Sequence, residues 1–393
     1  MNPVVSIVRI ENENIEKAVR KAIELAGGIE APSKNSKPIL IKPNALKTKD
    51  TWEDQITVTT HPEVVRAVIR VVKEMGHKIV VGDSSGGGTE TQRVLEKAGF
   101  KKLEKEEGVP VINLSVGAEK IEITDAVKVK SSIFSKVALD YNIINVPKMK
   151  THTLTTVTLA VKNLFGCIPG MEKKRIHSIA STARGFSQCL LDLYSVLKDN
   201  IIMNVLDGQI AMEGHGPSSG PAKRMDLIIA SKDAIALDAV ATKIMGVNPY
   251  SVFTNKLGEK RKLGIANLNE IDVVGEQIEE VKSKFAMPER FIRWVPIGRF
   301  WKLGTKQPVY KGSGCKACLR CERVCPVNAI KVDRETKQPI FDYKKCISCF
   351  CCFELCEEEV IYIGRLKYKK KIIIYSSIFA LVILTAILLP TLL

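Results

Sequence analysis

Two stretches of this chain repeat one arrangement of thiols. "CKACLRCERVCP" holds Cys315, Cys318, Cys321 and Cys325, and "CISCFCCFELCE" holds Cys346, Cys349, Cys352 and Cys356, each spaced C-x2-C-x2-C-x3-C. Two-residue gaps let one tight loop wrap three thiolates onto a compact inorganic core, and a four-iron cube needs a fourth from elsewhere. Structural zinc instead takes separated C-x2-C pairs or Cys/His mixtures. A disulfide framework is not expected either. Of the 11 cysteines only Cys167, Cys189 and Cys351 lie outside the spacing, which suits a reducing compartment. Cys351 falls out of register and is not expected to be a ligand.

The double run resembles that of bacterial two-cluster ferredoxins, in which each run donates its last cysteine to the other cluster. That resemblance implies one 4Fe-4S cluster on Cys315, Cys318, Cys321 and Cys356, and a second on Cys346, Cys349, Cys352 and Cys325. Glu357 stands where the first run has Pro326. The acids at 357–359 would lower the potential of the nearby cluster, since negative charge disfavours its reduced form.

Residues 372–393, "IIIYSSIFALVILTAILLPTLL", carry no charge over a length that matches a hydrocarbon core of roughly 30 Å. Just before them come Arg365, Lys367, Lys369, Lys370 and Lys371, which the positive-inside rule places on the cytoplasmic side. A single-pass tail anchor in the cell membrane is therefore expected. The N-terminal stretch lacks the apolar core of a secretory signal, so the bulk of the chain is expected to face the cytoplasm. The formal charge is +16 and stays at +11 without those five cations, which favours anionic partners. No zinc finger, aromatic single-strand motif or recognition helix points to nucleic acid.

Up to about residue 276 the chain alternates β-branched runs with amphipathic stretches. Candidate strands are "VVSIVRI", "PILIKPN", "KIVVGDS", "YNIINVP", "IIMNVLD", "MDLIIAS" and "EIDVVGE"; "HPEVVRAVIRVVKEMG" reads as a helix with one valine-rich face. Such alternation predicts an α/β domain with a mostly parallel sheet. Ligands in such sheets gather at the carboxyl ends of strands. Four polar groups fall there. Lys42 and Asn44 follow one strand; Asp83, Ser84, Ser85 and the glycines Gly86, Gly87 and Gly88 follow another. The glycine-rich turn is either an anion loop on a helix start or an ordinary flexible turn, and it matches neither the P-loop nor the dinucleotide fingerprint. Lys148, Lys150, Thr151 and His152 follow a third strand, with Lys162 and Asn163 farther on; a helix over 153–165 would place Lys162 near its far end. His152 reads as a loop capping residue or as a proton donor beside an anion cradle. Asp207, Glu213 and His215 lie in a glycine-rich loop that can cover a site or simply be mobile surface.

"IKPN", "GDSSGGGT", "PKMKTHTLTTVTLAVKNLFG", "LDGQIAMEGHGP" and "DAIALDAVATKIMG" resemble the domain of unknown function family 362 over most of residues 1–276. Several members of that family end in a ferredoxin module, so the resemblance implies an iron-sulfur protein with a redox role. The expected organisation is an α/β domain (1–276), a linker (277–311), a small α+β two-cluster domain (312–364), a basic juxtamembrane segment (365–371) and a transmembrane helix (372–393). Trp294, Phe300 and Trp301, interleaved with cations, suit either a membrane interface or a packed linker.

The function expected is a membrane-anchored oxidoreductase relaying electrons through two 4Fe-4S clusters to an anionic substrate, free or lipid-linked. Lys150, His152 and Glu213 are candidate proton-transfer groups; Lys42, Asn44, Asp83, Ser84, Gly86, Gly87, Lys162, Asn163 and Asp207 are candidate substrate contacts. A flavin has no fingerprint to support it. The rival expectation is a non-catalytic electron-transfer subunit that docks a donor or acceptor protein at the membrane.

Overall fold

The computed structural model describes residues 1–31, 33, 36–86, 90–180, 182–288 and 306–365. All seven strand-like segments lie in strands of one ten-stranded sheet. Its strands are β1 (Val4–Arg9), β2 (Ile39–Pro43), β3 (Ile79–Asp83) and β4 (Val111–Asn113), followed beyond a separate β5–β6 hairpin (Ala118–Glu122, Ser131–Ser135) by β7 (Asn142–Val146), β8 (Lys148–His152), β9 (Thr156–Thr158), β10 (Ile201–Met212), β11 (Ala222–Ser231) and β12 (Asp272–Gly275). The order is β12-β1-β11-β10-β7-β2-β3-β4, with β8 and β9 branching from β10.

The sheet is mixed: six of its nine strand pairings are parallel and three are antiparallel. β11 runs antiparallel to both β10 and β1, and β9 antiparallel to β8. The cause is local. β10 continues well past "IIMNVLD", and the loop from Glu213 to Pro221 is too short for a helical crossover, so the chain returns as a hairpin. β4, β8 and β9 lie in polar or very short segments that carry no strand-like apolar run.

Helices cover both faces. On one side Ile15–Leu25 and Pro62–Glu74 pack their apolar faces on β2, β3 and β10, with Val64, Val65, Val68 and Val72 buried. His61 caps the second of these, its Nδ1 accepting from the Glu63 N–H at 3.2 Å, and Pro62 opens the first turn. On the other side lie Ala183–Leu197, Ala234–Ile244 and Phe253–Lys260.

The cysteine-rich segment forms two hairpins, β13 (Lys306–Tyr310) with β16 (Ile361–Arg365) and β14 (Ile330–Val332) with β15 (Pro339–Phe341). The predicted transmembrane helix is not found among the described residues. Among the described residues no helix is long and apolar enough to cross a membrane, and the longest, Ala183–Leu197, has 15 residues where about 20 are needed. Residues 372–393, Arg365's neighbours at 366–371 and the aromatic stretch at 291–305 lie outside the described residues.

Candidate functional site

The parallel register aligns the carboxyl ends of three strands: Ile41 pairs with Val81 of β3, and Lys42 pairs with Asn145 of β7. Side chains leaving these ends meet. Lys42 Nζ donates to Asp83 Oδ1 at 2.7 Å and to the Pro43 carbonyl at 2.8 Å. Asp83 also accepts from the N–H groups of Ala45 (2.6 Å) and Ser84 (2.8 Å). No Cβ fits at residue 166, because it would collide with Asp83 and Lys42; glycine there lets the chain pass over the pair. An asparagine chain crosses the strand ends, from Asn44 to Asn163 (3.0 Å), Asn163 to Asn145 (2.8 Å) and Asn145 to Asn204 (2.9 Å).

β8 is buried at all five positions although it reads Lys-Met-Lys-Thr-His. Each polar group has an internal partner. Lys148 pairs with Asp207 at 2.8 Å, and Asp207 also accepts from His61 N–H at 2.7 Å. Lys150 donates to Asn44 Oδ1 (2.8 Å) and the Val58 carbonyl (2.6 Å), while Thr151 donates to the Gly214 carbonyl (2.9 Å). His152 Nδ1 accepts from Leu154 N–H at 3.0 Å, which leaves the proton on Nε2, 3.7 Å from Glu354 Oε1. Burial, reinforced by Lys148 and Lys162, holds Lys150 well below the usual lysine range; burial likewise holds His152 well below the usual histidine range.

The expected helix over 153–165 is absent. Strand β9 turns the chain back on β8 first, and the helix that follows spans only Ala160–Asn163. Lys162 is thereby brought beside Glu354 and Cys351, and burial, only partly offset by Glu354, lowers its pKa. Its ammonium lies 4.5 Å from the Phe165 ring centre and 5.6 Å from that of Phe186. Among the described residues it makes no hydrogen bond or ion pair.

A cavity of about 80 Å³ opens here, walled by Asp83, Ser84, Gly86, Lys162, Lys173, His177 and, from the cysteine-rich module, Cys351, Glu354 and Leu355. Lys173 and His177 were not singled out by the sequence, although their i, i+4 spacing on Gly170–Ile179 puts both on one helix face. Lys173 Nζ donates to the carbonyls of Ser84 and Ser85, and burial brings its pKa to about 7. The His177 ring stacks on Phe186 at 4.3 Å, and burial brings its pKa to about 3. His177 Nδ1 and Glu354 Oε1 are buried with no hydrogen-bond partner. Burial raises the Glu354 carboxyl to about 7 against the pull of Lys162 and Lys150.

Not every candidate reaches this place. Glu213 binds Lys223 (3.1 Å) and the Ala286 N–H (2.9 Å), tying its loop to a neighbouring segment away from the cavity. His215 is exposed, Asp207 is consumed by Lys148 and His61, and Gly87 lies outside the described residues. Gly86 does reach the cavity, where a Cβ would collide with Leu355.

The two cysteine runs have matching backbones. Left-handed residues stand at Ala317, Leu319 and Asn328 in one, and at Ser348, Phe350 and Glu359 in the other, at equal offsets from the first or last cysteine of each run. Ala317 N–H faces Cys315 Sγ and Ser348 N–H faces Cys346 Sγ, both at 3.4 Å. Burial and the neighbouring thiols Cys318, Cys356 and Cys315 push Cys321 up to about 12; Cys352 is raised by burial and by Cys349, Cys346, Cys321 and Cys325. As the side chains stand, no group of three or more His, Cys, Asp or Glu among the described residues could hold a metal ion.

The module docks on the sheet domain through several polar contacts. Lys47 Nζ donates to the Cys356 carbonyl (3.0 Å), Thr48 to Glu357 (2.5 Å), Lys49 to Glu359, and Ser218 to the Glu354 carbonyl (2.9 Å).

Comparison with known proteins places a family match within the sheet domain. A thylakoid-associated protein of Synechocystis sp. is 34% identical over 250 residues, 63% of this chain and 74% of that protein. The model of the Domain of unknown function (DUF362) family matches residues 39–243, which hold Lys42, Asp83, His152, Lys162, Lys173 and His177 but stop short of the cysteine runs. On both matches, the chain belongs to the DUF362 family.

Proposed function

We propose that this chain is an iron-sulfur oxidoreductase that delivers electrons to a small anionic substrate held between the cysteine-rich module and the sheet. One observation carries the reading: Cys351 and Glu354, inside the second cysteine run, wall the same cavity as Lys162, Lys173 and His177. A donor set of eight soft thiols in two matching loops, with backbone N–H groups aimed at sulfur, suits two 4Fe-4S clusters. Cys315, Cys318, Cys321 and Cys356 would hold one, and Cys346, Cys349, Cys352 and Cys325 the other. Such clusters, when bound, supply single electrons received from a reduced redox protein.

The remaining work falls to the cavity walls. Lys162, drawn on by Glu354 but in no ion pair among the described residues, supplies a positive charge that favours an anion. Lys173, with a pKa of about 7, can yield a proton near neutral pH while its carbonyl contacts hold it in place. His152 Nε2 lies 3.7 Å from Glu354 Oε1, too far for a hydrogen bond. Leu355, Phe165 and Val324 give the cavity an apolar part of its wall. Membrane association extends to this chain from the name of its thylakoid-associated relative, supported by the net charge of +16. Docking of the module on the cradle favours catalysis over a pure electron-carrier role.

Anaerobically purified protein should hold about eight iron and eight acid-labile sulfide per chain. Cys321→Ser should lose iron while Cys351→Ser keeps the full count. Iron-free protein after anaerobic reconstitution, or loss of a cluster in Cys351→Ser, would overturn this assignment.

A further inference from the structure

The lysines at the strand ends are not the ones free to bind a ligand. Lys42 is matched by Asp83, Lys148 by Asp207, and Lys150 by Asn44 and a carbonyl. Lys162 differs: it lies on aromatic faces, and among the described residues no carboxylate pairs with it. His177 Nδ1, 6% exposed as a residue, is buried with no hydrogen-bond partner on the same cavity. Lys162 and His177 Nδ1 are thus two groups without partners among the described residues at one small space, whose wall they share with Glu354, a carboxylate beyond ion-pair distance of Lys162 and itself unpartnered at Oε1; a small oxyanion would take the two donors.

We propose that this cavity binds a small oxyanion, a carboxylate or inorganic oxyanion of about four heavy atoms, between Lys162 and His177. The proposal rests on the cavity being the reaction site described above. Size sets the class. About 80 Å³ is several-fold below the about 300–1,000 Å³ of pockets that take drug-sized ligands, so the space suits a small anion better than a flavin ring or a nucleotide. Chemistry sets the ligand atoms. Lys162 supplies charge, and neutral His177, stacked on Phe186, supplies an Nδ1 donor whose direction the stack fixes. Lys173 sits beside them, held on Ser84 and Ser85, within the same space.

The test is equilibrium binding to the full, anaerobically prepared chain by calorimetry, with formate, nitrate and acetate as small probes and citrate and flavin mononucleotide as large ones. The small anions should bind and the large ones should not. Lys162→Met should weaken binding about tenfold or more, since charged hydrogen bonds contribute on the order of 1.5–3 kcal/mol. His177→Phe keeps the stack on Phe186 and removes the nitrogens, so it should also weaken binding if the variant at 162 proves too unstable to use. Binding that is unchanged in either variant, or equally tight for citrate, overturns the proposal. Iron-replete protein that binds no small oxyanion sinks this inference and leaves the electron-transfer reading intact. Iron-free protein that binds formate through Lys162 does the reverse.

Discussion

Lys42 and Asp83 make an ion pair whose side chains are 0% and 3% exposed, at 2.7 Å. Out of water such a pair survives because each oxygen of Asp83 has another donor, from Ala45 or Ser84. Removing one partner is therefore the damaging change. Lys42→Met should cost about 3–5 kcal/mol of stability in denaturant unfolding, because it strands a buried carboxylate. Loss below about 1 kcal/mol would mean that Asp83 is solvated or protonated once Lys42 is gone. Lys173 makes a different prediction. Its pKa falls from 10.5 to about 7 through burial, so between those values the unfolded chain binds a proton that the folded chain does not. Stability conferred at this position therefore rises with pH across that window and is lost as pH falls through about 7. Lys148 and Lys150, also lowered by burial, act in the same direction. The stability difference between the native chain and Lys173→Met should widen from pH 7 to pH 9 in urea titrations. A constant difference would place the charge of Lys173 in solvent.

The helix Ala160–Asn163 has four residues, too few to be stable alone, yet it carries the one lysine on which ligand binding is proposed to depend. Its start is held from another element. Asp238, in the helix Ala234–Ile244, accepts from the N–H groups of Ala160 (2.7 Å) and Val161 (3.1 Å). At its end Asn163 donates to the Lys42 carbonyl at 3.2 Å and so closes onto β2. Asp238→Ala leaves two buried N–H donors without a partner and should cost about 2–3 kcal/mol. The same change should weaken small-oxyanion binding, because the turn that aims Lys162 loses its anchor. Wild-type affinity in a measurably destabilised Asp238→Ala chain would show that Lys162 is aimed by its ring contacts with Phe165 and Phe186 instead.

The three acids after the second cysteine run are matched: Glu357 by Thr48 and Arg320 (2.5 Å each), Glu358 by Lys316 (2.9 Å), and Glu359 by Lys49. Glu357 and Glu359 thereby join the module to the loop after β2, while Lys316 and Arg320 match charge within the module, and this pairing offsets the potential-lowering effect expected of the acids. Reversing the basic side, in Lys47→Glu with Lys49→Glu, should undock the module. Hydrogen exchange should then quicken around Glu354–Val360 and Ser218, and unchanged protection would place the docking energy in the Leu355 contact instead. Much of the molecule is legible in the chain itself. Seven strands, the helix after His61 and the repeated thiol spacing follow from local periodicity and short-range geometry, which act over a few residues. The polar strand β8 is not legible in this way, because its lysines and threonine are stable only against Asp207, Asn44 and backbone far along the chain. Nor is the turn of β9 that moves Lys162, or the antiparallel return at β11. The strand-end residues are foreseeable one by one, but which of them are spent on each other is a matter of pairing at 2.7–2.8 Å between residues 41 and 59 positions apart. Lys173, His177 and Glu354 become site residues only when a helix and a distant cysteine loop close on the sheet. Local chain chemistry decides which groups are present; long-range packing decides which remain without a partner, and those are the groups left to bind.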